Sequence, residues 1–287
     1  MPEGDTLYRI AHRLRPVLAG QTIAAASAWR PRRGPAIDAA SLVGRGVESV
    51  EAVGKHLLIA FDDQRVLHSH LGMTGSWHAY PVAAAWKKPP GRAAIVLTTA
   101  THSVVNFSPK QLELVSSSRL RGASHLRRLG PDLMLPGVDL GAVLKRLRVH
   151  NAAPIGEAVM NQTIAAGIGN VYKSESLFLA KLNPWRRVGS IDDRTLLAYL
   201  QATHELMRQN RGAGMRTTRL GSGPRKWVYG RRGDACLVCS EVIQMRRQGD
   251  QGRSTYWCPR CQPPAAQQPA PPIDAGASRR PPIKGCS

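Results

Sequence analysis

The spacing of apolar residues divides the chain into a β-rich half and a helical half. Leucine and isoleucine recur at helical spacing over residues 5–19, which predicts a helix with Asp5 as its N-cap and Gly20 at its end. From about 22 to 115, short apolar runs alternate with Gly, Pro and Asp turns, a pattern typical of strands. The runs predicted as strands are Val47–Val53, Leu57–Phe61, Val66–Leu71, Ala93–Thr98 and Val104–Phe107. A β-sandwich or barrel preceded by a helix is therefore expected.

The second half of the chain is predicted to hold helices followed by a cysteine-bounded hairpin. A Pro/Gly-rich linker precedes the helical patterns, which continue to about residue 210. A basic, Gly-rich stretch then covers 211–234, and the hairpin covers 236–261. The chain after residue 262 holds seven prolines and no apolar periodicity, which predicts a disordered tail. The fold class expected is α+β, with domains at 1–129, 139–234 and 235–262, the linker at 130–138 and the tail at 263–287.

The net charge of the chain indicates which class of molecule the protein binds. Forty Lys and Arg against nineteen Asp and Glu give a net charge of +21. Such an excess predicts a nucleic-acid partner, because basic side chains that neutralise phosphates release condensed counterions. A membrane surface is the weaker alternative, since no apolar run reaches about 18 residues. The opening Met1–Asp5 carries two acids, unlike a secretory signal peptide, so a cytoplasmic, nucleoid-associated location is expected.

Four of the five cysteines form two Cys-x-x-Cys pairs. Cys236 and Cys239 make the first pair, Cys258 and Cys261 the second, and 18 residues separate the pairs. Two such turns supply four thiolates, the tetrahedral shell that one structural Zn²⁺ prefers, whereas a redox site needs a single pair. A four-thiolate site leaves no open position, so this zinc would hold the hairpin and do no chemistry. Cys286, in the tail, is expected to be a bystander.

Five motifs in a fixed order carry a resemblance to a known family. They are MPEGDT at the start, VGKHLL at 53–58, HLGMTG at 70–75, NQTIAAGIGNVYKSES at 161–176 and GRSTYWCPRC at 252–261. Over about residues 1–261 the chain resembles the formamidopyrimidine-DNA glycosylase/endonuclease VIII family. The opening Pro-Glu-Gly-Asp-Thr is more similar to the endonuclease VIII branch, since the other branch is expected to begin Pro-Glu-Leu-Pro-Glu.

The resemblance implies four catalytic residues. Pro2, once Met1 is removed, would attack C1′ through its secondary amine and form an iminium; a free α-amino group has a pKa of about 7.7–8.0. Glu3 would be the general acid/base, although it could equally be a helix N-terminal acid. Lys55 resembles the family lysine that contacts phosphate and assists the first elimination, and Arg253 the arginine that grips phosphates and assists the second. From the residues alone, Lys55 could instead be a solvated strand-edge lysine.

The resemblance also implies DNA-contacting residues. Asn170 and Gly169 lie in a Gly-rich connection that resembles a helix–two-turns–helix motif, where backbone N–H groups could approach a phosphate. Lys173 follows them on the predicted helix. The alternative is a helix connection with Asn170 as N-cap. Met73 resembles an apolar plug that fills the gap left by a flipped base, with a core methionine as the alternative.

Two departures from the family pattern bear on the substrate. Where the formamidopyrimidine branch is expected to carry Asp-x-Arg-x-Phe-Gly, this chain has SPKQLE at 108–113. The 211–234 stretch is also short for the loop that caps 8-oxoguanine in that branch. Both departures favour oxidised pyrimidines.

Four histidines cluster in the first half of the chain, and two of them, His68 and His70, share one face of a strand. A catalytic metal would need a third ligand and an open position, so polar strand residues are the favoured interpretation. The four are His56, His68, His70 and His78.

The sequence therefore predicts a bifunctional DNA glycosylase/AP lyase of base excision repair that acts as a monomer. It would remove oxidised bases, with pyrimidines favoured, and cleave the strand by β,δ-elimination through a Pro2 Schiff base. The expected partner is DNA with oxidised bases or abasic sites, with no membrane partner and one zinc as cofactor. Two alternatives stay open: a non-enzymatic zinc-ribbon DNA-binding protein and the purine branch of the same family.

Overall fold

The structure, a computed structural model, describes residues 1–29, 36–122, 124–212 and 214–264, so most of the predicted tail, with Cys286, lies outside the described residues. The predicted α+β class is confirmed. The helices are α1 Gly4–Leu18, α2 Ser117–Gly122, α3 Ser124–Arg127, α4 Leu140–Arg148, α5 Ile155–Ala158, α6 Asn170–Leu179 and α7 Asp193–Gln209. The strands are β1 Ala25–Ala28, β2 Val47–Val53, β3 His56–Phe61, β4 Arg65–His70, β5 Ser76–Pro81, β6 Ala93–Thr98, β7 His102–Phe107, β8 Gln111–Ser116, β9 Gln244–Gln248 and β10 Arg253–Trp257.

The first helix forms where its apolar spacing predicts, but its cap differs. Glu3 is the N-cap, and its backbone N–H donates to Thr6 Oγ1 at 3.4 Å. The prediction that Asp5 caps α1 is wrong, because Asp5 lies inside the first turn and is fully buried. The helix ends before Gly20, whose φ of +74° is the left-handed conformation that glycine adopts at little cost.

Two four-stranded antiparallel sheets form a β-sandwich with the orders β2-β3-β4-β8 and β1-β6-β7-β5. The five predicted strands are present with boundaries shifted by up to two residues. Three strands were not predicted, β1, β5 and β8, because their short, mixed sequences lack a clear apolar run. The core between the sheets is mainly aliphatic, with Trp77 and Phe61 as its large rings, and the buried face of α1 closes one side.

The helical unit has its own core, to which residues 130–138 contribute. Leu133 and Met134 are buried among the helices. Asp132 accepts hydrogen bonds from the backbone N–H groups of Gly54 and Met134, at 2.7 and 2.8 Å. Gly54 lies in the turn between β2 and β3, so this segment fastens the sandwich to the helical unit. Burial raises the pKa of the Asp132 carboxyl above its ordinary value.

The last described unit is the cysteine-bounded hairpin of β9 and β10, paired antiparallel from Arg253–Gln248 to Trp257–Gln244. It packs against α6. Within the described part of the chain, no helix has the length and apolar character needed to cross a membrane.

Candidate active site

A cleft of ≈850 Å³ lies where the sandwich, the helical unit and the hairpin meet. All the predicted site residues other than the cysteines line it, although they are scattered over most of the chain. They are Pro2, Glu3, Lys55, Met73, Gly169, Asn170, Lys173 and Arg253. Pro2 also borders a second pocket of ≈630 Å³, whose other wall is formed by residues between 214 and 231. Pro2 therefore stands between two cavities.

Glu3 is a fully buried carboxylate at the N-terminus of α6. Its Oε1 accepts from the backbone N–H of Val171 at 2.7 Å, and its Oε2 accepts from Gly169 and Tyr172 at 3.1 and 3.2 Å. A helix N-terminus offers such unpaired donors together with positive potential, which is a favourable environment for a carboxylate. These bonds fix the side chain in one orientation toward the cleft.

Gly169 has a different role from the one predicted. Its N–H was expected to approach a DNA phosphate, but it donates to Glu3 instead. A Cβ atom at this position would lie 2.2 Å from Glu3 Cδ and 2.5 Å from Oε1, so only glycine leaves room for the carboxylate. Asn170 is likewise not the cap of α6, because Gly169 holds that position.

Arg216 is a component that sequence reasoning missed. Its guanidinium is nearly buried, donates through Nε to Asp5 Oδ2 at 2.9 Å and lies 3.8 Å from Glu3 Oε1. It also lies over the Tyr172 ring, 5.0 Å from the centroid. The two carboxylates, Glu3 foremost, raise the pKa of Arg216 above its ordinary value. In the sequence, Arg216 is one of many basic residues in the 211–234 stretch, and nothing there distinguishes it from its neighbours.

Lys55 lies in the tight turn between β2 and β3, where Gly54 has a φ of +57°. Burial lowers the pKa of its ammonium from 10.5 to about 8, and the cations Arg253 and Arg216 lower it further while Glu3 opposes them. A half-buried lysine facing two arginines is not a solvated strand-edge residue, so that alternative is excluded. An amine with this pKa changes charge close to neutral pH.

Arg253, the first residue of β10, reaches the cleft from the hairpin. Its Nε and Nη2 both donate to Gln251 Oε1, at 3.1 and 2.8 Å, which orients the guanidinium. Asn170 stands nearby with its Nδ2 donating to Ser254 Oγ at 3.1 Å. The cleft therefore presents cations from both the sandwich and the hairpin, as a phosphate-binding groove requires.

Lys173, expected to contact DNA, lines the cleft and is hydrogen-bonded to the hairpin. Its side chain is 1% exposed, and Nζ donates to Thr255 Oγ1 at 2.7 Å. Thr255 in turn donates to Gln248 Oε1 at 2.9 Å, and Gln248 donates to the Pro184 carbonyl at 3.0 Å. Burial, with Arg253 second, lowers the pKa of Lys173 to about 8. Lys173 thus seats the hairpin on α6.

Glu175 was also not predicted from the sequence. It attaches a second segment of the chain to the opposite side of α6. Its Oε1 accepts from the N–H groups of Val228 and Tyr229 at 2.9 and 2.7 Å, and its Oε2 accepts from Trp227 at 2.8 Å and from the Thr218 hydroxyl. This buried carboxylate holds part of the basic 211–234 stretch against the helix. The wall of the second pocket is therefore anchored at α6.

Met73 is 71% exposed on the loop after β4, so the core-methionine alternative is excluded. Gly72, with φ +65°, packs so closely on Lys110 that an added Cβ would lie 2.7 Å from the lysine Cβ. Of the segment 108–113 that replaces the expected arginine and phenylalanine, only the first three residues line the cleft; Leu112 enters the core.

The histidines are not arranged as a metal site. His56 and His68 are hydrogen-bonded to each other on neighbouring strands, and His78 lies on the other sheet. In the described ranges, only the four cysteines form a group with metal-ligand spacing. The interpretation of these histidines as polar strand residues fits this geometry.

The four cysteine sulfurs fit a zinc ion. All lie within 4.8 Å of one another, with Sγ–Sγ distances of 3.8 Å between Cys236 and Cys261 and 3.4 Å between Cys239 and Cys258. Tetrahedral coordination at about 2.3 Å requires sulfurs roughly 3.8 Å apart. When bound, zinc would hold the ribbon together. The cysteines are not among the residues that line the cleft.

Comparisons with known proteins agree with this geometry. The chain matches models of the formamidopyrimidine-DNA glycosylase N-terminal domain over 1–119, of the H2TH domain of the same glycosylase over 129–220, and of a zinc finger found in FPG and IleRS over 233–264. These three units define a DNA repair glycosylase with a four-cysteine ribbon. Structurally, the chain resembles the complex of Lactococcus lactis Fpg with DNA containing an abasic site, at a TM-score of 0.76 and 24% identity, covering 91% of this chain and all of that one.

Two relatives make the assignment specific. The chain is 36% identical to a probable endonuclease 8 2 of Streptomyces coelicolor, covering 94% of this chain and 96% of the relative. It is 34% identical to the DNA-(apurinic or apyrimidinic site) lyase Nei2 of Mycolicibacterium smegmatis, covering 91% and 99%. The chain belongs to the formamidopyrimidine-DNA glycosylase/endonuclease VIII family. The expected activity, a DNA glycosylase with AP lyase activity, and the expected structural zinc are confirmed at the level of the family.

Proposed function

We propose that the protein excises oxidised pyrimidines from DNA and cleaves the strand by β,δ-elimination through a Schiff base on Pro2. One observation carries the proposal: Pro2 and Glu3 at the N-terminus, Lys55 in the turn between β2 and β3, and Arg253 on the hairpin meet in one cleft. A DNA-binding protein without catalysis has no need to bring an N-terminal residue, a buried acid and a lysine of lowered pKa together.

The environment of Pro2 suits a nucleophilic amine. Burial, followed by the charge of Arg216, lowers the pKa of the Met1 amino group below 8.0. Removal of Met1 would expose the Pro2 amine one residue further along the same cleft wall. There the same cation favours the neutral form, which is the form that attacks C1′. Expulsion of the base then leaves an iminium, because a secondary amine cannot form a neutral imine.

The other three residues have distinct tasks in this proposal. Glu3, held by three N–H donors, moves protons at the opening sugar and during elimination. Lys55 binds the flanking phosphate as a cation below about pH 8 and assists loss of the 3′ phosphate. Arg253, oriented by Gln251, grips phosphate and assists departure of the 5′ phosphate.

The preference for pyrimidines rests on the cleft wall beside Met73, where Lys110 packs against Gly72. Ser108, Pro109 and Lys110 line the cleft there, and none of them offers the planar guanidinium or the aromatic ring that the purine branch is expected to insert. All catalytic candidates lie in one chain, which supports action as a monomer. Four zinc-binding thiols suit a reducing cytoplasm, where the protein would act on nucleoid DNA.

Borohydride trapping tests the proposal most directly. Wild-type protein with Met1 removed should form a covalent adduct with an abasic duplex. Pro2→Gly should retain part of the trapping through a primary amine, and a form that keeps Met1 should give no adduct. Equal trapping with Met1 retained would refute the nucleophile assignment.

A panel of duplexes carrying thymine glycol, 5-hydroxyuracil, dihydrouracil or 8-oxoguanine tests the substrate. Excision of the three pyrimidine lesions at least tenfold faster than 8-oxoguanine is expected. The reverse order would place the protein with the purine-specific enzymes, and tight binding without excision of any lesion would favour a DNA-binding protein.

A further inference from the structure

Arg216 is held by a fork of hydrogen bonds that leaves one of its nitrogens facing the N-terminus. Its Nε donates to Asp5 Oδ2 at 2.9 Å, and its Nη2 donates to Asp5 Oδ1 and, at 2.8 Å, to Thr6 Oγ1. Asp5 is fully buried, and a bidentate pair of this kind fixes the plane of the guanidinium. The direction of the third nitrogen, Nη1, is therefore fixed as well.

Nη1 points at the peptide bond that joins Met1 to Pro2. It donates to the Met1 carbonyl oxygen at 3.4 Å and lies 3.8 Å from Glu3 Oε1. In the part of the chain that the structure describes, no other acceptor lies within hydrogen-bond distance of Nη1. Removal of Met1 takes this acceptor away, so the nitrogen is left as a free donor beside the new N-terminus.

The Met1–Pro2 peptide marks the place where a substrate carbon would attach. Its carbonyl carbon is planar, is bonded to the Pro2 nitrogen and carries an oxygen. In the proposed iminium, C1′ is also planar and is bonded to the same nitrogen. The Met1 carbonyl group therefore stands in for C1′ and an atom bonded to it. An oxygen on C1′ would lie within reach of Nη1, as the Met1 oxygen does.

We propose that Arg216 is a further catalytic residue, whose Nη1 donates a hydrogen bond to the ring oxygen O4′ while the sugar opens. The inference rests on the proposed function, in which Pro2 attacks C1′. Asp5 is a positioning residue, which acts by holding the guanidinium in its plane.

The step balances without a further reactant. In the adduct that precedes the iminium, C1′ carries the Pro2 nitrogen, C2′, a hydrogen and O4′. The C1′–O4′ bond breaks and its electron pair moves to O4′, while the lone pair of the Pro2 nitrogen forms the double bond to C1′. Glu3 gives its proton to O4′. Arg216 stays protonated throughout, so it stabilises the developing charge on O4′ without competing for that proton.

Single-turnover trapping of a ring-closed abasic duplex with cyanoborohydride measures iminium formation by protein with Met1 removed. Arg216→Met should slow trapping about 100-fold at pH 7, since loss of one donor to a developing oxyanion costs about 10²–10³-fold. Asp5 keeps Arg9 as a partner in this variant, at 3.1 Å. Arg216→Lys keeps the charge but not the fork, and should slow trapping about tenfold even if Arg216→Met does not fold. Both should bind a duplex containing tetrahydrofuran with a Kd within about threefold of wild type, because tetrahydrofuran forms no iminium.

Arg225 supplies matched controls. It lines the same second pocket and is exposed, and its guanidinium contacts Met215 rather than the N-terminus. Arg225→Met and Arg225→Lys should therefore trap the abasic duplex at the wild-type rate. An equal loss in the variants of Arg225 and Arg216 would overturn the proposal, because it would trace the effect to the charge of the pocket wall.

A second pH separates the two effects of Arg216. Its charge also favours the neutral form of the N-terminal amine, and that effect vanishes above the usual α-amino pKa of about 7.7–8.0. We expect the slow trapping of Arg216→Met to persist at pH 9. Recovery of the wild-type rate at pH 9 would limit Arg216 to acting on the amine. The variants leave unchanged the other charged or titratable groups that face the amine or Arg216, which are Glu3, Asp5, Lys226, Lys55 and Tyr172.

The same measurements distinguish this inference from the proposed function. Trapping by wild type together with trapping by Arg216→Met or Arg216→Lys within about threefold of it would refute the role at O4′ and leave the Pro2 nucleophile in place. Absence of trapping by wild type would refute the proposed function and this inference with it.

Discussion

Replacing Gly169 with alanine tests how the candidate general acid is held. The added Cβ would lie 2.2 Å from Glu3 Cδ and 2.4 Å from Cγ, distances that atoms do not tolerate. Since the helix backbone and Glu3 are both buried, the carboxylate must move by more than about 1 Å to reach ordinary contact near 3.4–4 Å. Its three hydrogen bonds from Gly169, Val171 and Tyr172 cannot all survive that displacement.

The magnitude follows from those bonds. A hydrogen bond to a charged group contributes about 1.5–3 kcal/mol, and buried donors left unpaired add a further cost. Loss of two of the three bonds should therefore destabilise the Gly169→Ala variant by about 3–6 kcal/mol. General acid/base catalysis contributes roughly 10²–10⁴-fold, so displacement of Glu3 should slow trapping on an abasic duplex at least 100-fold.

Urea unfolding and borohydride trapping measure the two effects. Gly91→Ala is the matched control, because no atom lies within 4 Å of the added Cβ and its φ is ordinary. This control should change stability by less than about 1 kcal/mol and leave trapping unchanged. A Gly169→Ala variant with wild-type stability and trapping rate would refute the argument that Gly169 makes room for a fixed Glu3.

Three further predictions concern charge and metal. The pKa of Lys55 is lowered from 10.5 in the unfolded chain to about 8 in the folded protein. Between about pH 8 and pH 10.5 the unfolded chain therefore binds more protons, so the free energy of unfolding rises with pH in that range. Lys55→Met should remove that rise, stabilise the protein at pH 7 by about 1–2 kcal/mol in urea titrations and still lose strand cleavage. Arg253→Ala at saturating DNA should accumulate the unsaturated-aldehyde end over the phosphate end on a sequencing gel; unchanged ends would limit Arg253 to binding. Cys239→Ser should lower zinc from one per chain in elemental analysis and weaken DNA binding, and full activity without metal would contradict a structural role.

The sequence predicts most of what local patterning can encode. The period of α1, five strands and the two Cys-x-x-Cys turns follow from spacing within single segments. Strand β5, with its Trp77 and Tyr80 among polar and small residues, does not, because its identity depends on pairing with β7. The N-cap of α1 was misassigned for a related reason: Asp5 is a good cap by residue type, but its carboxylate is engaged by Arg216, 211 residues away.

In the candidate site, too, local motifs were predictable and contacts between distant segments were not. Short motifs indicated which residues would gather, and they lie in one cleft. Their partners could not be predicted, since Arg216 and Glu175 act through contacts between segments far apart in sequence. Lys173 adds a contact of the same kind: the resemblance placed it among the DNA-contacting residues, and only the fold shows that its Nζ also donates to Thr255 on the hairpin.

The position of Glu3 at the head of α6 also has a consequence for the order of synthesis. Its bonds join residues separated by 166 to 169 positions, and Arg253 enters the same cleft from still later in the chain. A nascent chain on the ribosome could complete its β-sandwich before α6 has been synthesised. Until then, Glu3 would lack the backbone N–H donors that fix its carboxylate. The cleft is therefore assembled only after the ribosome has translated both α6 and the hairpin, and a truncated product that ends before α6 would carry the proposed nucleophile, Pro2, without a fixed Glu3.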